Sequence, residues 1–152
     1  MNKFLLFILL ACWGSISSGQ TSYPYQDIKL EKPGDYAGTE PLALSAAKFL
    51  LSTPFAESDA GRANAFQFLS RWMDGNKVYE FFMPGKIAAI SDDRGLVSLY
   101  IAAMAKYSLE NKKEAVNTLS VENNAAKLVL AYCDDKKNKF KLKKKYRKLL
   151  EK

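Results

Sequence analysis

Leu96-Val97-Ser98-Leu99-Tyr100-Ile101-Ala102-Ala103-Met104-Ala105-Lys106-Tyr107-Ser108-Leu109 decides the fold class. Leu96, Tyr100, Ala103 and Tyr107 recur at i, i+4, i+7 and i+11, with Leu99 and Met104 flanking the stripe. That spacing is one face of an α-helix. Ser91-Asp92-Asp93, just before it, supplies N-capping side chains.

The same period recurs on both sides of this segment. Leu42, Ala46, Phe49 and Leu50 make a stripe at i, i+4, i+7 and i+8. Thr39 reads as its N-cap and Pro41 suits its first turn, where a missing N–H costs nothing. Pro54 stops it, because the residue before a proline is pushed out of helical backbone. A second helix starts at Ser58 or Asp59 and runs to Met73, with Phe66, Leu69 and Met73 inward and Phe68 and Trp72 broadening the face. Asp74-Gly75-Asn76 supplies turn residues for its end. Val121, Ala125, Leu128 and Tyr132 mark a helix over Ser120–Cys133, and Leu142, Tyr146, Leu149 and Leu150 mark one more near the C-terminus.

These segments predict an all-α fold: a compact irregular bundle of about five amphipathic helices with an extended N-terminal arm. The arm covers 20–38, where no helical period appears and Pro24, Pro33, Gly34 and Gly38 interrupt the chain. The helical domain covers 39–135. The basic amphipathic helix at 136–152 is expected to belong to the same domain. Lys77-Val78-Tyr79-Glu80-Phe81-Phe82-Met83, ended by Pro84-Gly85, reads as a short helix or an extended lid across the bundle. A lone strand there would lack a partner.

Residues 1–19 have the three-part pattern of a secretory signal peptide. Lys3 precedes an apolar run from Phe4 to Trp13, and small residues lead to Gly19. The run is roughly half of the ~20 residues a membrane-spanning helix needs. The expected mature chain is therefore exported, to the periplasm or beyond, without a transmembrane helix. Cleavage before Gln20 competes with a second route, in which Leu9-Leu10-Ala11-Cys12 acts as a lipobox and Cys12 anchors a lipoprotein. Cys133 is then left without a partner for an internal disulfide, and its apolar neighbours argue for a buried, inert thiol.

Charge is strongly segregated. Residues 136–152 hold nine lysines, one arginine and one acid, whereas 1–135 hold thirteen basic and fifteen acidic side chains. The whole excess of +7 thus comes from the C-terminal segment. Its possible anion-binding residues are Lys136, Lys137, Lys139, Lys141, Lys143, Lys144, Lys145, Arg147 and Lys148. Two readings stay open: a helix docked on the body with its lysines in water, or an amphipathic helix on an anionic membrane surface or polyanion. Nucleic acid shares those electrostatics, but an exported chain seldom meets it and no base-reading motif accompanies the lysines. A second candidate surface is aromatic: Trp72, Tyr79, Phe81 and Phe82 gather around a loop and either stack on a ligand or close the core.

Much chemistry is missing. The chain has no histidine, which removes the commonest general base and most zinc and haem sites. No CxxC, phosphate loop or dinucleotide turn occurs. No catalytic, metal or cofactor residues are assigned. Of the acids Glu40, Glu57, Asp59, Asp74, Glu80, Asp92 and Asp93, most sit where a helix N-terminus favours negative charge. Glu80, between aromatics, does not.

Tyr23-Pro-Tyr25, Asp27-Ile-Lys-Leu30, Lys32-Pro33 and Asp35-Tyr36 form one group of short motifs. Thr39-Glu-Pro-Leu42, Ser52-Thr-Pro-Phe55, Tyr107-Ser-Leu-Glu-Asn111 and Leu130-Ala-Tyr-Cys133 extend it. In these the chain resembles small, uncharacterised exported proteins of the Bacteroidota. The resemblance implies a helical exported domain and transfers no activity, cofactor or site. The functional expectation is a non-catalytic binding or structural role in the cell envelope, with a protein or envelope component as partner. The alternatives are an adhesion module holding anionic lipid, lipopolysaccharide or polyanion through its basic C-terminus, and a histidine-free enzyme using carboxylates.

Overall fold

Asp93 starts the longest apolar helix by accepting the Leu96 N–H on its carboxylate at 3.1 Å. In the computed structural model, which describes residues 24–79, 81 and 86–152, this helix is the fifth of seven. They are α1 (Pro33–Gly38), α2 (Glu40–Ser52), α3 (Ala60–Gly75), α4 (Lys86–Ala89), α5 (Arg94–Glu110), α6 (Thr118–Asp134) and α7 (Lys144–Leu150). A 3-10 turn, Lys136–Asn138, lies between α6 and α7, and no strand occurs among the described residues. The fold is all-α. The leader at 1–19, Cys12, the arm residues 20–23, Glu80 and Phe82 lie outside the described residues.

Helix α5 is the hub. It packs on α2, α3 and α6, and it is buried beyond the single stripe its periodicity predicts. Ile101, Ala102, Ala105 and Ser108 join Leu96, Leu99, Tyr100, Ala103 and Met104 in the core. Alanines on two further sides explain this, since their small Cβ lets neighbouring helices approach closely. The Tyr100 hydroxyl donates to the Glu122 carbonyl at 3.1 Å, tying α5 to α6, and burial pushes that phenol well above the usual tyrosine range.

The capping side chains fix where the other helices begin. Asp59 accepts the Arg62 N–H at 3.0 Å to start α3, and Asn117 accepts the Ser120 N–H at 3.1 Å to start α6. Thr39 departs from its expected role. Its side chain caps nothing, because α1 runs directly into it and its hydroxyl turns back onto the Asp35 carbonyl at 2.7 Å.

That short helix also corrects the expected arm. Residues 28–32 have no regular structure, but Pro33–Gly38 turns helical. Proline suits its first turn, and the Asp35 carboxylate accepts the N–H groups of Glu31 and Lys32 at 3.0 and 2.9 Å. These bonds hold the Asp35 carboxyl below the usual carboxylate range. The segment is fastened to α3: Tyr25 stacks on Phe68 with centroids 5.3 Å apart, and the Trp72 indole donates to the Tyr36 carbonyl at 3.0 Å.

The basic segment is likewise not one helix. It runs as the 3-10 turn, an irregular stretch over 139–143, then α7. The break falls at Lys139, whose φ of 54° is left-handed. In the stretch that follows, Phe140 and Leu142 pack against the core while Lys139, Lys141 and Lys143 are exposed. That alternation has the period of extended chain. Helical period returns with Tyr146 and Leu150, both buried.

Candidate functional site

The nine basic residues singled out in the sequence sit on a segment that is docked on the body. Docking begins at the end of α6. The Asn138 carbonyl accepts the Phe55 N–H at 2.8 Å, while the Asn138 amide donates to the Tyr132 carbonyl at 2.9 Å. Phe140 then meets Phe55 edge-to-face, with centroids 4.9 Å apart. Gly95 makes this contact possible: a Cβ there would lie 2.7 Å from the Phe55 ring and 3.0 Å from that of Phe140.

Three of the nine are spent on holding α7. Lys143 pairs with Asp93 at 3.3 Å, Lys145 pairs with Asp92 at 3.1 Å, and Arg147 pairs with Asp134 and, at 3.7 Å, with Glu151. The buried Tyr146 hydroxyl donates to Asp92, and the ammonium groups of Lys145 and Lys143 stand 4.4 and 5.4 Å from its ring centroid. Both cations are within cation–π range. The Tyr146 hydroxyl, then Lys145, hold the Asp92 carboxyl below its ordinary range, and Arg147 does the same for Asp134.

The other six, Lys136, Lys137, Lys139, Lys141, Lys144 and Lys148, are exposed and make no salt bridge among the described residues. Lys152 joins them. Their direction follows from the backbone. Lys144 and Lys148 are two positions out of phase with Tyr146 and Leu150, about 200° round the helix, so they point away from the body. Lys139 and Lys141 alternate with the packed Phe140 and Leu142, which turns them outward as well. Apolar and basic faces are therefore separated, and the apolar one is covered.

The aromatic candidates fall elsewhere. Trp72 is fully buried and Tyr79 nearly so. With the partly buried Phe81 they form a tilted trio whose centroids are 5.7–5.9 Å apart. Of the two readings of these rings, closing the core is the one that holds for Trp72 and Tyr79. The Tyr79 hydroxyl explains the inward turn. It donates to Glu40 at 3.0 Å, Lys112 donates to the same carboxylate at 2.5 Å, and burial followed by Glu40 raises the phenol's pKa. Lys77 and Val78, just before Tyr79, are exposed.

Cys133 is half-buried on α6, and desolvation pushes its thiol up to about 12. No helix among the described residues is long and apolar enough to cross a membrane.

Sequence reading did not find Arg62. It is 4% exposed and donates to Leu50 O at 3.0 Å, Thr53 O at 3.1 Å and Thr53 Oγ1 at 2.8 Å. It thereby satisfies the open carbonyls at the end of α2. Its place on the same face as Ala65 and Leu69 was the available signal. No family model matches the chain, and no curated protein or solved structure is similar to it.

Proposed function

We propose that the chain is an exported, non-catalytic binding protein of the cell envelope, which meets an anionic surface through the outward lysines of its C-terminal segment. Its leader, removed before Gln20 or at a lipidated Cys12, and its kinship with exported Bacteroidota proteins belong to the same proposal. One observation carries it: seven exposed lysines without salt-bridge partners among the described residues share a segment whose apolar residues are packed into the body. With Phe140, Tyr146 and Leu150 so used, adhesion is electrostatic and shallow. Each lysine at an anionic membrane contributes about 1 kcal/mol, fading over a Debye length of about 8–10 Å.

Removing the segment would not test this, because it would take Phe140, Tyr146 and Leu150 out of the core. The test keeps the fold and changes the charge. Vesicles of phosphatidylglycerol and of phosphatidylcholine are sedimented with the mature chain and with a variant carrying Lys139→Gln, Lys141→Gln, Lys144→Gln and Lys148→Gln. The mature chain is expected to bind only phosphatidylglycerol, and less as salt rises. The variant should bind about a thousandfold more weakly, four lysines at about 1 kcal/mol each. Equal binding by both proteins, or binding indifferent to salt, would end the proposal.

A further inference from the structure

Helix α3 carries two opposed stripes. Gly61, Arg62, Ala65, Phe68, Leu69 and Trp72 are buried. Two positions out of phase, Ala63, Phe66, Gln67, Ser70, Arg71 and Asp74 recur at i, i+3, i+4, i+7, i+8 and i+11, and none of them is buried. A shift of two residues is about 200° on a helix, so this second stripe is the outward side of α3.

Three cavities lie side by side along it and share lining residues. The largest, about 600 Å³, is lined by Phe66, Gln67, Ser70 and Arg71. A second of about 440 Å³ shares Arg71 and reaches Asp74, while a third of about 340 Å³ shares Phe66 and Gln67 and reaches Ala63. Together they form a trough about 16 Å long, from the 1.5 Å rise per residue between Ala63 and Asp74. The segment from Tyr25 to Glu31 walls one part of it and the start of α5 another.

The lining selects the ligand by its chemistry. Four basic and four acidic side chains border the trough, so it carries no net sign. A polyanion gains nothing there. Its middle is one partly exposed ring, Phe66, set among the amides of Gln26, Asn64 and Gln67 and the Arg71 guanidinium. Amides both donate and accept, as hydroxyl-rich ligands require, and an aromatic face takes the apolar side of a sugar ring.

We propose that the outward trough of α3 binds a neutral oligosaccharide, with a sugar ring on Phe66 and its hydroxyls bonded to Gln67 and Arg71. This site is separate from the lysines of the C-terminal segment and does not depend on them. The test titrates the isotopically labelled mature chain with cellotetraose, chitotetraose and maltotetraose and follows its amide resonances. One of the three is expected to shift the amides of Ala63 to Asp74 saturably. Gln67→Ala and Arg71→Ala, both at exposed positions, should each weaken it by about tenfold, and Phe66→Ala should abolish it. Phe66 also touches the core, so Gln67→Ala decides if that variant fails to fold. The variant lacking four lysines should bind the sugar normally. The proposal is overturned if no sugar moves these amides, if the Gln67 and Arg71 variants bind like the native chain, or if tetra-alanine moves the same amides where the sugars do not.

Discussion

A methyl group on Gly75 would put its carbon 2.0 Å from the Tyr36 hydroxyl oxygen. This glycine, which reads from sequence as turn chemistry, is there for close approach. Tyr36 lies over it and donates to the Leu30 carbonyl at 3.1 Å. Gly75→Ala must displace that ring, and overpacking of this kind costs about 1–3 kcal/mol. The loss should appear in denaturant midpoints, with early release of residues 28–38. Arg62→Met removes the donors from the Leu50 and Thr53 carbonyls, and unsatisfied acceptors cost about 1–3 kcal/mol. Tyr132, whose hydroxyl donates to Thr53 O at 2.7 Å, relieves part of this. Cys133 should behave as an inert thiol. With its pKa near 12, it holds roughly a thousandfold less thiolate than free cysteine at mildly basic pH. Alkylation in native buffer should be correspondingly slow and should become ordinary once the protein is unfolded.

Between elements, α7 is joined by charged pairs to the loop before α5 and to the end of α6. Lys143, Lys145 and Arg147 face Asp93, Asp92, Asp134 and Glu151 there. Asp92 and Asp134 have folded-state pKa values below the ordinary carboxylate value. Their contribution is therefore complete above the ordinary value of about 3.9 and is lost as pH falls through the depressed ones. The protection of Lys144–Leu150 amides from hydrogen exchange, relative to unstructured chain at the same pH, should fall below about pH 4 while the α5 amides stay protected. Tyr146→Phe removes the largest cause of the Asp92 shift, so an NMR titration should find that carboxyl nearer its ordinary value. The long helices were readable in advance because each carries several turns of apolar stripe. Helices α1 and α4, of six and four residues, are too short to show a period. The C-terminal segment misled for a different reason. Leu142, Tyr146, Leu149 and Leu150 fit helical spacing, but Phe140 and Leu142 equally fit the period of extended chain, and a left-handed lysine leaves no mark in a sequence. The aromatic trio stayed open between core and surface because burial, which decides between them, depends on partners such as Glu40 that are remote along the chain. The outward stripe of α3 went unread because Phe66, its large apolar residue, fits the helical spacing of the inner face with Leu69 and Met73, whereas it is not among the buried residues of the helix.

Over the whole molecule, charge and stability are carried by different atoms of the same segment. Replacing Lys139, Lys141, Lys144 and Lys148 by glutamine should leave unfolding midpoints within about 0.5 kcal/mol, as for surface changes far from any partner. Phe140→Ala should lower them while leaving the charge intact. The junction at Thr53 joins parts of the chain that are made far apart in time. Its carbonyl accepts from Arg62 and from Tyr132, and the next turn of chain is closed by Phe55 on Asn138 and Phe140. Contacts of such long sequence separation form late, because the loop between them must first be closed. A nascent chain arrested before Phe140 should therefore stay open to protease along α2 and α3, and become resistant once the residues through Leu150 have emerged. The turn after α2 is thus closed by residues that follow α6, and the chain around Phe55 lacks its partners until Asn138 and Phe140 are in place.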